Sequence, residues 1–310
     1  MGYSMDKLRI GIIGTGGRGV IALASYWKDN DRAMVVAGAD ICEDRLADLR
    51  NAVGDNVFTC TDYRTLLDRP DIDCVAVTSP DQCHEEHVIA ALNAGKHVFC
   101  EKPLAITIDG CDRILRAEKA SGKKMMMGFN MRYMNMFRTM KEIVESGTIG
   151  EIKAVWVRHF VGHGSLYYYH DWHAKKENVT SLLLQKGSHD IDIIHWISGC
   201  YTKRVAAFGG MDFFGGDRAN DTNCNTCSDR RTCSEAQLDP EFPNLTQCAF
   251  RKEVCVEDNN IVMMELENGA KAAYLQCHFT PDYHRNYVFI GTEGSNRARN
   301  LVYSRVGTNQ

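Results

Sequence analysis

The sequence predicts an α/β chain in two parts. The first is a doubly wound parallel sheet; the second is an α+β domain with an open, mostly antiparallel sheet. Three observations carry this. A glycine-rich turn, Gly14-Thr15-Gly16-Gly17-Arg18-Gly19, follows an apolar run and opens a helical stretch, the arrangement of a Rossmann-type phosphate loop. Strand-length apolar runs then alternate with helical stretches as far as residue 128, as expected of a parallel sheet covered on both faces. From Glu151 onward longer strands dominate, and Asn268-Gly269 between two of them is a hairpin turn. The domains divide as 1–128 and 129–310, with a Cys-rich insertion at about 221–257.

The elements follow in order. Leu8 to Ile13 is a buried strand, Val20 to Trp27 a helix, and Met34 to Ala39 a strand ending on Asp40. Asp44 to Ala52 and Tyr63 to Leu67 read as helices around a short strand near Val57. The strand Cys74 to Thr78 runs into Ser79-Pro80; the helix His84 to Asn93 stops at Gly95. His97 to Cys100 is a strand followed by Glu101-Lys102-Pro103, Ile108 to Ala120 a helix stopped by Gly122, and Met125 to Phe129 a strand leading to Asn130-Met131-Arg132. The second part opens with the helix Phe137 to Ser146. Its strands are Ile152 to Phe160, Thr202 to Phe208, Ile261 to Glu267, Ala270 to Phe279 and Asn286 to Gly291, and the helix Ser188 to Ile197 interrupts them.

Each residue of the glycine turn has a physical role. Gly14 permits the tight turn, Gly16 lets the backbone approach a pyrophosphate, and Gly19 lets helix and strand pack closely. Backbone N–H groups of Thr15, Gly17 and Arg18 lie where a helix start holds phosphate. Asp40, 21 residues past Gly19, is placed to accept hydrogen bonds from ribose hydroxyls and to repel a 2′-phosphate. NAD is therefore expected over NADP, unless Asp40 only caps the next turn. Ligands bind open parallel sheets beyond the carboxyl ends of the strands. That rule adds Ser79, Pro80, His84, Glu101, Lys102, Asn130 and Arg132 to the cofactor set.

Composition narrows the function classes. The 310 residues carry a net charge of −4 and no basic stripe, which excludes an electrostatic case for nucleic acid. No apolar run approaches the length of a membrane span, and the N-terminal residues lack a signal-peptide core. A cytoplasmic location is expected. The 13 cysteines then read as thiols or metal ligands rather than disulfides.

Four local patterns carry a resemblance. They are the glycine turn, the run Ala94-Gly95-Lys96-His97-Val98-Phe99-Cys100-Glu101-Lys102-Pro103-Leu104-Ala105, the segment Gly128-Phe129-Asn130-Met131-Arg132-Tyr133, and Gly187-Ser188-His189-Asp190-Ile191-Asp192. Together they resemble the Gfo/Idh/MocA family, the glucose–fructose oxidoreductase and inositol dehydrogenase group. The resemblance implies NAD(P)-dependent chemistry on sugars, polyols or related compounds, and a sheet face that serves as the interface of a homo-oligomer, dimer or tetramer. It also implies a catalytic set. Lys102 is placed to bond the reacting oxygen, with Glu101 either orienting it or contacting the cofactor. His189 suits the general base. Asp192, three residues on, either bonds substrate hydroxyls or holds the imidazole. One position departs from the family pattern: an aspartate is common four residues before the histidine, and here Gln185 stands there, followed by Lys186. Gln185 can hydrogen-bond but cannot take a proton; Lys186 adds a cation suited to an acidic substrate or an oxyanion.

Tyr167 to His173 mixes aromatic and polar residues, reading either as a sugar platform, with Trp172 and His173 foremost, or as a packed loop; His159 and His163 are further candidates. Cys224, Cys227, Cys233 and Cys248, with Cys255 beyond them, lie in a long polar segment. A C-x2-C pair closed by more distant cysteines can hold a structural zinc, an iron–sulfur cluster uses the same ligands, and free thiols are the alternative.

The expectation is an NAD-dependent dehydrogenase acting on a secondary alcohol of a sugar, polyol or glycoside, a small carbohydrate-like substrate. Two readings stand beside it: a redox-neutral enzyme that cleaves glycosides by transient oxidation, and a non-catalytic sugar or nucleotide sensor.

Overall fold

The computed structural model describes the backbone of residues 7–238 and 245–301, and side chains as far as residue 298. The polar N-terminal residues before Lys7, positions 239–244 of the Cys-rich insertion and the C-terminal stretch beyond Leu301 lie outside the described residues. The chain divides into two compact units, Met1–Gly128 and Phe129–Gln310.

The first unit holds β1 (Leu8–Ile13), β2 (Ala33–Ala39), β3 (Phe58–Cys60), β4 (Cys74–Val77), β5 (His97–Cys100) and β6 (Met125–Met127). They form one parallel sheet in the order β3-β2-β1-β4-β5-β6. The order reverses between β1 and β4, the switch point at which such sheets bind ligands. Both faces are covered: Ile13, Val75, Val88, Leu92 and Ile114 pack on one side, and Ile10, Ile12, Val20, Ala24 and Leu49 on the other. That double burial is why these strands read as continuous apolar runs. The helix Ile108–Ser121 shows how local signals set the boundaries. Thr107 accepts a hydrogen bond from Gly110 N–H at its start, and Gly122 adopts φ 64° at its end. One boundary differs from expectation. The helix after the glycine turn starts at Arg18, not Val20, and its first turns, Arg18–Ala24, are wide π turns. Gly17 already has helical dihedrals, and Val20 N–H bonds Gly16 O at 2.9 Å.

The second unit holds β7 (Ile152–Phe160), β8 (Thr202–Gly210), β9 (Asn259–Leu266), β10 (Lys271–Cys277), β11 (His284–Gly291) and β12 (Ser295–Leu301). Their order is β12-β11-β7-β10-β9-β8, antiparallel throughout except for the β7–β10 pair. The helices Asn135–Glu145 and Ser188–Ser198 cover one face, where Phe137, Ile193, Ile194, Val155, Val157, Tyr274 and Phe289 form the core. The opposite face carries an in-register row of Trp156, Ala273, Met263 and Ala206 beside a row of Leu275, Ile261 and Phe208. Trp156, Ile261, Met263 and Phe208 are exposed there. Strand β12 was not expected, and the polypeptide before Ser188 is already helical, as wide π turns over Leu183–Gly187. Among the described residues no helix is long and apolar enough to cross a membrane.

Candidate functional site

In the first unit the glycine turn forms a cradle at the switch point. Gly14 has φ 90°, and a Cβ there would stand 2.5 Å from Ser79 N. A Cβ on Gly19 would stand 2.3 Å from Gly14 O, so neither position admits a side chain. Gly16 differs: nothing lies within 4 Å of its Cβ position, so its backbone faces open space. Thr78, which sequence reading missed, braces the turn from β4 by donating its hydroxyl to Gly14 O at 2.6 Å. The Asp40 carboxylate accepts from Thr15 N–H at 2.8 Å and from Cys42 N–H at 3.0 Å. It thus ties the turn to the end of β2 and, in the same geometry, caps its own turn. Each carboxylate oxygen accepts more than one hydrogen bond, so these contacts leave capacity for a ribose hydroxyl.

The cradle fits a dinucleotide on its own evidence. Two glycines are sterically obligatory, a third leaves a gap, and the buried Thr15 hydroxyl has no partner among the described residues. An unpaired buried hydroxyl at a phosphate loop is the kind of group a ligand satisfies.

The neighbouring loops are held to this turn. Arg18 Nε donates to Glu101 Oε1 at 2.7 Å, so Glu101 engages the glycine turn. His84 is 1% exposed, with one ring nitrogen 2.6 Å from Pro103 O and the other 2.8 Å from Ser79 O. It clamps the Ser79-Pro80 loop to the Lys102-Pro103 loop and presents no open nitrogen to a ligand. Ser79 Oγ meets His87 Nδ1 at 2.9 Å, another contact the sequence did not suggest. Lys102 is half-buried at the end of β5, before a cis bond to Pro103.

In the second unit His189 is buried, edge-on to Phe129 with ring centroids 6.0 Å apart. His189 does not stand at a free helix start. The π turns of Leu183–Gly187 run straight into Ser188–Ser198, so His189 lies inside a continuous helical segment. Gly187 makes this possible: a Cβ there would press on Leu183, Gln276 and Tyr274 at 2.9 to 3.1 Å. Gln185 is buried within the π turns and Lys186 half-buried. Such turns recur at functional positions in helices.

Asp192 is gripped by Arg132, whose Nε donates to Oδ2 at 2.8 Å and whose Nη2 reaches Oδ1. Arg132 also lies over Phe129 and Trp196 at 5.9 and 5.8 Å. Arg132 and Asp192 thus form an ion pair within the second unit. Asn130 opens the turn Asn130–Tyr133 and is exposed.

Beneath His189 lies a charge cluster that sequence reading missed. Asp190 is fully buried and accepts from Arg285 Nε at 2.9 Å, Tyr274 OH at 2.9 Å and Tyr287 OH, with His159 Nδ1 at 2.9 Å. The register explains the convergence. Gln276, His159 and Arg285 are lateral neighbours across β10, β7 and β11, as are Tyr274, Val157 and Tyr287. Burial alone would raise the Asp190 carboxyl; Arg285, His159 and Tyr287 together outweigh it and hold it well below the usual carboxylate range. Burial pushes the His159 imidazole down to about 4, reinforced by the Arg285 charge and opposed by Asp190. The available signal was the alternation Tyr274-x-Gln276-x-His278, polar groups on the inward face of a strand.

The aromatic segment is mostly packed. Tyr168, Tyr169 and His170 are buried, and Tyr169 stacks on Phe214 at 4.0 Å. Trp172 and His173 stack on each other at 3.6 Å, half-buried, with His173 Nδ1 2.7 Å from Asp171. His163 is exposed, whereas His159 belongs to the buried cluster.

Comparison with known proteins agrees with this architecture. Residues 8–129 match the oxidoreductase family with an NAD-binding Rossmann fold, and residues 137–297 match the GFO/IDH/MocA C-terminal domain. The inositol 2-dehydrogenase 3 of Saccharopolyspora erythraea is 42% identical over 144 residues, 46% of this chain and 42% of that protein. The inositol 2-dehydrogenase/D-chiro-inositol 3-dehydrogenase of Shouchella clausii is 35% identical over 191 residues, 61% of this chain and 53% of that protein. The chain spans about half the length of the curated relatives it matches. A scyllo-inositol dehydrogenase from Lactobacillus casei, solved with NAD(H) and scyllo-inositol, shares the fold with a TM-score of 0.73 at 24% identity, covering 94% of this chain and 76% of that one. With the glycine cradle at a Rossmann switch point and both halves matched in order, the chain belongs to the GFO/IDH/MocA oxidoreductase family.

Proposed function

We propose that this protein is an NAD-dependent dehydrogenase that oxidises a secondary alcohol of a cyclic polyol or sugar. The observation that carries the reading is the cradle: Gly14 and Gly19 exclude side chains, Gly16 faces open space, and Asp40 stands at the end of β2. Gly14 to Gly19 would hold the pyrophosphate, Asp40 the adenosine ribose, and the loops carrying Ser79 and Glu101 the remainder. When bound, the nicotinamide supplies a hydride acceptor. The protein's own groups handle the hydroxyl: His189 takes its proton, and Lys102 donates to the oxygen as negative charge develops there. The alcohol loses its O–H proton and its C–H hydride, leaving a carbonyl. Gln185, neutral where many family members carry an acid, can offer the imidazole a hydrogen bond but no charge.

A second copy of the chain is the natural partner for the outer sheet face. Trp156, Met263, Ile261 and Phe208 form a contiguous apolar surface on adjacent strands. Such a face is costly to leave in water and suits a two-fold interface.

The test is NADH formation by purified protein with NAD and a panel of inositols, free sugars, uronic acids and glycosides, with products followed in the same tubes. NADH with one substrate class, lowered about a hundredfold or more in Lys102→Ala while NAD affinity holds, is the expected result. Altered glycoside without NADH would instead favour the redox-neutral enzyme, a reading that Gln185 keeps in play. Tight NAD binding with neither signal would favour a sensor.

A further inference from the structure

Among its described residues, the excursion between β8 and β9, residues 211–258, has little regular structure of its own. Its described part is pinned by two isolated bridges, Arg218–Arg251 and Asn223–Gln247. Around the second bridge Cys224 N–H donates to Thr246 O at 2.8 Å, and Cys248 N–H to Thr222 O at 2.9 Å. Two cysteines distant in sequence are thereby set on facing segments. The turn closed by Thr226 N–H on Asn223 O, at 3.1 Å, carries Cys227, and Cys233 N–H on Asp229 O, at 2.9 Å, closes the next.

Cys224, Cys227, Cys233 and Cys248 all line one small pocket, whose interior is about 10 Å³. No disulfide joins them. Hydrogen-bond donors are aimed at the sulfurs: Phe250 N–H at Cys248 Sγ, 3.4 Å, and Arg218 Nη1 at Cys227 Sγ, 3.3 Å. Among the described residues no three such groups already stand at coordinating distance, so the ion would draw the sulfurs inward. Cys255 stands apart, its Sγ accepting from Lys176 N–H at 3.1 Å.

We propose that Cys224, Cys227, Cys233 and Cys248 bind one structural zinc ion. Four thiolates fill a tetrahedral shell and leave no position for substrate, so the ion staples the excursion and takes no part in turnover. The staple has a physical motive: a long segment with few hydrogen-bonded elements needs cross-linking to stay folded.

The experiment is elemental analysis of the full chain, expressed with zinc available and purified without chelator. About one zinc per chain is expected, released together with the reactivity of four thiols when a mercurial is titrated in. Replacing zinc by cobalt should give the intense visible bands of a tetrahedral thiolate site. Cys224→Ser and Cys248→Ser should each lose the metal, whereas Cys255→Ser keeps it. Should the first two fail to fold, the metal count and cobalt spectrum of the unaltered protein still decide. Absence of bound metal, iron with equimolar inorganic sulfide, or a disulfide among the four would each overturn the proposal.

Discussion

Asp40 shows what a single carboxylate can be asked to do. Its oxygens already accept from Thr15 N–H and Cys42 N–H, so it is a brace for the glycine turn before any ligand arrives. A ribose contact would come on top of that brace. Hydrogen bonds to a charged group are worth about 1.5–3 kcal/mol. Asp40→Ala should therefore weaken NAD about tenfold to a hundredfold while NADP loses less, because the mutation also removes repulsion of the 2′-phosphate. Fluorescence titration with both nucleotides measures the ratio, and an unchanged ratio would limit Asp40 to bracing. Gly19 makes the complementary point. With Gly14 O 2.3 Å from its Cβ position, Gly19→Ala must displace backbone, and NAD binding should fall with it.

The helix Ser188–Ser198 is the element whose position matters most, and Asp190 fixes it. The carboxylate docks onto two rows of the sheet through Arg285, His159, Tyr274 and Tyr287. Removing one charge of a buried pair strands the other, at about 3–5 kcal/mol. Asp190→Asn should lower unfolding free energy by that amount in urea titration, because Arg285 stays buried. The same cluster gives a pH signature. Between pH 6.5 and about 4 the unfolded chain binds a proton at His159 that the folded chain refuses, so stability should drop as pH falls through that window. His159→Gln, which keeps a donor for Asp190 without titrating, should flatten the slope of Tm against pH there.

These elements also show where the sequence could be read. Strands β1 to β6 announce themselves because both faces are buried, and the glycine turn because Gly14 and Gly19 admit no side chain. Strand β12, Ser-Asn-Arg-Ala-Arg-Asn-Leu, was missed because its alternation sets Asn296 and Ala298, not large apolar residues, toward the core. The Asp190 cluster was invisible for a different reason. Its partners Arg285 and Tyr287 lie 95 and 97 residues away, and only strand register brings them together. The setting of His189 was not legible, since π turns over Leu183–Gly187 leave no periodic apolar signal.

At the scale of the whole molecule the outer sheet face and the Cys-rich excursion carry the remaining predictions. Phe208 is 70% exposed at the edge of the apolar rows. Phe208→Asp should shift sedimentation toward a smaller species without changing NAD affinity, and an unchanged profile would move the interface elsewhere.

The excursion also bears on how this sheet tolerates change. Gly210 and Asn259, its two ends, are directly paired neighbours on β8 and β9, so the entire loop hangs from a single rung of the ladder. Loop-closure entropy grows only with the logarithm of length, about 2 kcal/mol between a four-residue turn and one of some fifty residues. The register of β8 against β9 is therefore nearly indifferent to what is spliced in between. The rung is a natural graft point, where a module with its own staple can be gained, exchanged or shed while the strand order stays as it is. Shedding it would also uncover a core: Tyr169 and Val161, which pack with Phe214, Val254 and Val256 of the module, would then face water and need a new cover.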